Sequence, residues 1–285
     1  LVGRNAVVEI SNALDGKVRV PVSQAGGVWY VKGDDAYGLS DEESTITIPV
    51  KSDYDYTVDL PAWITGEKVK EGYNLTLAEN TTGNARKGTV TFTSERGAKK
   101  IVFLQFGIND IAGTYEATYS VYGDNDQLVE ETKTFKLVQD AENEELFYAE
   151  ELSSIGGLVI PLKFNSETYQ LSVFAGQYLG YIASKGWYLY TVVTSEAGYV
   201  HADAALAYSA IAEFDLDDEV VMPSFPFKDE KGFSFATSDG TIKSYLDGLE
   251  VYVFKSQSPS FSGGNALGYY DMFKNLSIKK VELKE

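Results

Sequence analysis

The sequence predicts an all-β protein: an immunoglobulin-like β-sandwich followed by a larger antiparallel β-barrel or coiled β-sandwich. Three observations carry that prediction. Short runs of β-branched and aromatic residues recur along the whole 285-residue chain between clusters of Gly, Asn, Asp and Ser, and Tyr (20) and Phe (15) dominate the aromatics. Many of these runs alternate with period 2. In "GKVRVPVSQAGG", residues 16–27, Val18, Val20 and Val22 alternate with Lys17, Arg19 and Ser23 until Gly26-Gly27 ends the run. Helical periodicity is scarce: "HADAALAYSAIAEF" from His201 is the best candidate, and its second half alternates as a strand, so at most a short helix is expected over residues 203–206.

The first stretch reads as the end of a unit, although it stands near the start of the sequence. "RNAVVEIS" (4–11) matches "RKGTVTFT" (86–93), and "KVRVPVSQAG" (17–26) matches "KKIVFLQFG" (99–107). Arg4 aligns with Arg86, Val8 with Val90 and Ile10 with Phe92 at an offset of 82, and Gln24 aligns with Gln105 at an offset of 81. A one-residue change in the hairpin turn reconciles the two offsets. Two strands in the same order with the same Gln-x-Gly ending indicate a duplicated unit of about 80 residues. Residues 1–27 are therefore read as the last hairpin of a truncated copy, and 28–109 as the complete one. The absence of an initiator Met is read as a processed or trimmed chain.

The complete copy opens with "STITIPVKSDYDYTVDLPAWITG", where Ile46, Ile48 and Val50 alternate, then Tyr54, Tyr56 and Val58, with Trp63 after the Pro61 bend. Turns at "ENTTGNARKG" and "SERGAK" separate the later strands. Six or seven short strands at this spacing suit a small sandwich with Trp63 in its core. "IPVKSDYDYTVDLPAWI", "LTLAENTTGNARKGTVTFT" and "IVFLQFG" together resemble the BACON domain (Bacteroidetes-associated carbohydrate-binding often N-terminal). The resemblance covers 28–108 and extends to 1–27 as a preceding copy. It implies an exported, lipid-anchored bacterial protein at the cell surface or in the periplasm, belonging to a glycan-handling system. The family varies, and some of its members look like spacers.

From residue 110 onward the strands lengthen. "IAGTYEATYSVYG", "TKTFKLVQ", "EELFYAEEL", "GLVIPLKF", "ETYQLSVF", "QYLGYIA", "GWYLYTVVT", "YSAIAEFD", "GFSFATSDG" and "GLEVYVFKS" follow one another with short turns, which predicts sequential antiparallel neighbours. Eight or more such strands close as a barrel or coil strongly. Gly113-Thr114-Tyr115 is similar to the Gly-x-Trp on the first strand of lipocalin-like barrels, with Tyr in place of Trp.

Composition limits function. With 44% hydrophobic and 23% charged residues the chain is globular, and no apolar run approaches the roughly 18 residues of a membrane span. A formal charge of -18 opposes nucleic acid and anionic lipid as partners. The chain has no Cys, so disulfides and thiolate metal sites are excluded. His201 is the only histidine, and "YVHAD" carries no nucleophile-elbow pattern. "DNDQ" at Asp124 and "DLDDE" at Asp215 lack calcium-loop spacing, and Glu150-Glu151 and Asp215 to Glu219 read as solvated loop charges. No cofactor or metal is expected, and a carboxylate pair for glycoside hydrolysis would have to be found in space.

The chemical lead is aromatic, because a sugar presents apolar C–H faces and a rim of hydroxyls to flat rings and polar partners. "QYLGYIASKGWYLYTVV" holds Tyr178, Tyr181, Trp187, Tyr188 and Tyr190, with Trp187, Leu189 and Thr191 on one face and Tyr188, Tyr190 and Val192 on the other. One set is core, and the sequence leaves open which. "SPSFSGGNALGYYDMF" places Phe261, Tyr269 and Tyr270 on a long Gly/Ser-rich loop. Tyr is also a good strand residue, so packing competes with ligand binding as an explanation. The reading is a non-catalytic binder of carbohydrate, acting with other proteins of its system. A spacer or protein-interaction module is the alternative, and a glycoside hydrolase stands third.

Overall fold

A computed structural model describes residues 3–11, 17–24 and 26–281. The chain is all-β and divides into two compact units, one of residues 1–80 with 86–105 and one of 81–85 with 106–285. Among the described residues, strands β1 (Arg4–Ser11) and β2 (Lys17–Gln24) pair only with each other, as an antiparallel two-stranded sheet.

The rest of the first unit comprises β3 (Trp29–Val31), β4 (Ala36–Leu39), β5 (Ser44–Ile48), β6 (Val50–Ser52), β7 (Tyr56–Asp59), β8 (Ile64–Val69), β9 (Gly72–Leu77), β10 (Arg86–Ser94) and β11 (Gly97–Gln105). These are more segments than the spacing predicts. Pro49 has no N–H to give to a ladder and divides what reads as one run into β5 and β6. One sheet has the order β4-β11-β10-β7 and another β5-β9-β8, with β3 and β6 paired alone. Ile48, Ile64, Leu75 and Leu77 from the three-stranded sheet meet Val90, Phe92, Ile101 and Phe103 from the four-stranded one, and these eight form the core. Trp63 packs half-buried against this core, with the Arg86 guanidinium 4.5 Å from its ring. A Cβ on Gly88 would lie 2.8 Å from the Trp63 ring and 2.6 Å from Pro61, so only Gly fits there.

The Gln-x-Gly ending has a structural meaning. Arg86 donates from Nε to Gln105 Oε1 (2.9 Å), and fully buried Gln105 donates from Nε2 to the carbonyls of Ala78 (3.1 Å) and Glu42 (3.2 Å). The pair ties the end of the β10–β11 hairpin to the segments that flank the facing sheet.

The second unit opens with a 3-10 turn, Ile108–Asp110, and continues as β12 (Gly113–Tyr122), β13 (Leu128–Gln139), β14 (Leu146–Glu150), β15 (Val159–Asn165), β16 (Gln170–Phe174), β17 (Tyr178–Ile182), β18 (Trp187–Ser195), β19 (Val200–His201), β20 (Ala207–Ile211), β21 (Ser224–Pro226), β22 (Phe233–Thr237), β23 (Gly240–Ser244), β24 (Leu246–Phe254) and β25 (Ala266–Lys280). The main sheet runs β17-β18-β24-β25-β12-β13-β14-β15-β16-β20, a curled sheet whose two end strands are not paired with each other. Chain-order neighbours hold from β12 to β16. They fail at β20, which returns to β16, and at β21, which pairs with the far half of β25. Residues 203–206 form a turn, not a helix: Asp203 Oδ1 accepts the Ala205 N–H, and Leu206 N–H closes on the Asp203 carbonyl.

Tyr115 of the Gly-Thr-Tyr motif is fully buried, donates its hydroxyl to the Ile111 carbonyl (2.7 Å) and packs beside Phe135 and Phe225. Lys280 closes the same end. Its buried ammonium, whose pKa burial lowers, donates to the carbonyls of Asp110 (2.8 Å) and Gly83 (3.0 Å), which explains why residues 81–85 belong with the second unit.

Candidate functional site

The register of four adjacent strands lines up four tyrosines. Tyr178 of β17 stands opposite Tyr190 of β18, Tyr190 opposite Tyr252 of β24, and Tyr252 opposite Tyr269 of β25. Directly opposed residues share a face of a sheet, so the four form one row, roughly 14 Å from end to end at the usual strand spacing. A second row beside it holds Tyr181, Tyr188, Phe254 and Ala266. Tyr178 and Tyr190 rings are 5.4 Å apart, Tyr181 and Tyr188 4.6 Å, and Tyr190 meets Phe254 edge-on at 5.7 Å.

The middle of the row is covered and its ends are open. Tyr190 is buried and Phe254 fully so, while Tyr178 is 50% exposed, Tyr181 48% and Tyr269 51%. The cover is the loop between β24 and β25, which sets Phe261 against Tyr252 and Phe254, each at 5.4 Å, and leaves part of its ring in solvent. Asn265 knits that loop: its Nδ2 donates to the carbonyls of Ser258 (2.7 Å) and Ser260 (3.1 Å), and its Oδ1 accepts the Ser256 N–H (3.0 Å).

Six of the eight sequence-predicted residues thus gather: Tyr178, Tyr181, Tyr188, Tyr190, Phe261 and Tyr269. Trp187 does not join them. By alternation it lies on the face of Leu189, Thr191 and Val193, which are core, and Lys185 holds its ammonium 4.3 Å from the ring. Tyr269 and Tyr270 are not on a loop; both belong to the long strand β25. Tyr270 is the extra residue of a β-bulge, since Val251 opposes Asp271 while Tyr252 opposes Tyr269.

That bulge turns Tyr270 and Asp271 toward a cleft of about 200 Å³, lined also by Tyr119, Tyr122, Glu131, Lys133 and Tyr269. Lys133 donates to the carbonyls of Leu152 and Ser153, both at 3.0 Å. Asp271 accepts from the Ser153 and Ser154 hydroxyls and from the Ser154 N–H (3.1 Å). Tyr119 donates to Glu131 (3.4 Å), and burial, then the Glu131 charge, raises its pKa, so the hydroxyl stays a donor. The cleft therefore presents hydroxyl, ammonium and carboxylate groups next to half-exposed rings. Tyr252 and Phe254 were legible in "GLEVYVFKS" as alternating aromatics; Glu131, Lys133 and Asp271 carried no local signal, because distant strands bring them together.

Two residues along β24 from Tyr252, Glu250 is 3% exposed and its Oε2 has no hydrogen-bond partner among the described residues. Burial pushes its pKa up to about 7, against the pull of Lys274, and Asp247 adds to the rise. Lys274 is bound to Asp247 instead (2.6 Å), whose other oxygen accepts from Thr194 (2.6 Å).

Other candidates disperse. His201 Nε2 lies 3.4 Å from Ser195 Oγ, but Ser195 is fully buried and the imidazole packs edge-on against Phe233 and Phe235, so no substrate reaches that pair. Asp215 folds back to accept the Asp217 N–H. Among the described residues no three His, Asp or Glu side chains converge as metal ligands, and no helix is long and apolar enough to cross a membrane.

No family model matches the chain, and no curated protein matches it. Among solved structures, a Bacteroides ovatus GH5 xyloglucanase in complex with a XXXG heptasaccharide aligns at 15% identity with a TM-score of 0.25. The alignment covers 35% of this chain and 30% of that one.

Proposed function

We propose that this protein binds a glycan without cleaving it, as an exported, lipid-anchored component of a bacterial polysaccharide-utilisation system. The observation that carries this reading is the tyrosine row with open ends at Tyr178 and Tyr269, the latter also lining the polar cleft. Half-exposed rings offer C–H stacking surfaces, and the Glu131, Lys133 and Asp271 groups beside them match a hydroxyl rim. The likeness of residues 28–108 to the BACON domain supports the same setting, and the charge of -18 favours a neutral ligand over a polyanion.

Isothermal titration of the whole chain against a panel of plant and host oligosaccharides tests the proposal. Saturable heat for at least one glycan, lost in Tyr178→Ala and Tyr269→Ala, is the expected result. If no glycan binds, the spacer or protein-interaction reading replaces it. Hydrolysis stands third, and the observation that bears on it is that two carboxylates, Glu131 and Asp271, line one cleft. Release of new reducing ends that Glu131→Gln abolishes would favour it.

A further inference from the structure

The hairpins β1–β2 and β10–β11 are one device in two settings. Arg4 stands opposite Gln24, Val8 opposite Val20 and Ile10 opposite Val18; Arg86 stands opposite Gln105, Val90 opposite Ile101 and Phe92 opposite Lys99. The sequence match thus extends to strand register. A one-residue slip would have put the aligned residues on opposite faces.

Because opposed residues share a face, Ala6, Val8, Ile10, Val18, Val20 and Val22 make one apolar face that ends at the Arg4–Gln24 pair. The other face carries Glu9, bridged to Lys17 (3.3 Å) and Arg19 (2.9 Å). In β10–β11 the matching residues Val90, Phe92, Ile101 and Phe103 are fully buried against β5, β8 and β9. In β1–β2 every described residue is exposed, Ile10 at 60% and Val18 at 61%. Two strands alone are marginal in water, and this pair has the polarity of half a sandwich.

We propose that the bare face of β1–β2 is a docking surface for a three-stranded sheet of the β5-β9-β8 kind, the front part of a sandwich unit that this hairpin completes. The occupant presents an apolar Ile/Leu face and, at one end, two backbone carbonyls equivalent to those of Glu42 and Ala78, which receive Gln24 and Arg4 as they receive Gln105 and Arg86. A second hairpin of the same kind fits less well: it offers small valines where the three-stranded sheet offers Ile and Leu, and it brings a second Arg4 to the contact. This inference is independent of the glycan reading, since it rests on a different unit and a different observation.

The test extends the chain by placing a copy of residues 28–82 directly before Leu1, which continues from Thr82 as Gly83 does at the offset of 82. Ala6→Gly is included, because Ala6 corresponds to Gly88 and its Cβ would meet the copied Trp63 and Pro61. A second version adds Ile10→Phe and Val22→Phe to restore the sizes of Phe92 and Phe103. Hydrogen exchange by mass spectrometry is read on both and on the unextended chain. Slowing of the β1–β2 amides by on the order of 100-fold in either extended version, together with protection of the added segment, is the expected result. Arg4→Ala with Gln24→Ala should then reduce that protection. Unchanged exchange of β1–β2 in both versions overturns the proposal. So does a hairpin already protected in the unextended chain through self-association that Val8→Asp abolishes, which would assign the face to a second copy.

Discussion

Tyr190 donates its hydroxyl to the backbone carbonyl of Gln257 at 2.8 Å, joining a buried ring on β18, beside the end strand β17, to the loop that covers it. Through that bond the sheet face fixes where Phe261 sits, and the open part of the aromatic surface follows from it.

The first prediction concerns this anchor. Tyr190→Phe keeps the ring and removes one hydrogen bond, so it should cost about 1 kcal/mol in urea unfolding. Asn265→Ala removes three bonds that hold the loop to itself and should raise loop hydrogen exchange while leaving the core protected. Unchanged exchange at residues 256–265 in both variants would refute the anchoring.

The second separates platform from packing. Tyr178→Ala and Tyr269→Ala remove half-exposed rings and should shift the melting temperature little while lowering glycan affinity by about 10-fold or more each. Trp187→Ala, on the opposite face, should cost on the order of 2 kcal/mol of stability and leave affinity intact. Loss of binding in Trp187→Ala at full stability would move the site to the other face.

The third follows from Glu250. Its folded pKa of about 7 lies above the 4.5 of an unburied carboxyl, so its contribution to stability is complete below about pH 4.5 and is lost as pH rises through 7. The loss amounts to something on the order of 3 kcal/mol. Glu250→Gln cannot ionise and should gain on the wild type between pH 5 and pH 8 in chemical denaturation. A constant difference between the two across that range would show that Glu250 does not titrate there.

The fourth tests the sandwich. Gly88→Ala puts a methyl group into the ring of Trp63 and into Pro61, and should destabilise the first unit by about 2 kcal/mol, read as a red shift and earlier unfolding in Trp fluorescence. A neutral effect would mean that Trp63 can swing away at no cost.

Much of this was legible in the residues. Alternation and turn chemistry located β1, β2, β5, β10 and β11 because each has one face for a core and one for water. The face of β18 was not legible: Leu189, Thr191 and Val193 are core, yet Tyr190 and Val192 on the other face are buried too, in a cluster with Phe254, so both halves of the alternation are buried. The first part of β25 reads as loop because bulges at Leu267 and Tyr270 break the period-2 pattern and Gly263, Gly264 and Gly268, all at positive φ, look like turn residues.

By itself the sequence determined the all-β class, the repeat of one hairpin and the clustering of tyrosines on particular strands, since period, turn residues and self-similarity are local properties. Only the tertiary structure decided that Tyr178, Tyr190, Tyr252 and Tyr269 form a row and that Glu131, Lys133 and Asp271 line a cleft beside it. Register between strands far apart in the chain is set by the packing of the whole sheet, and no short stretch of residues encodes it.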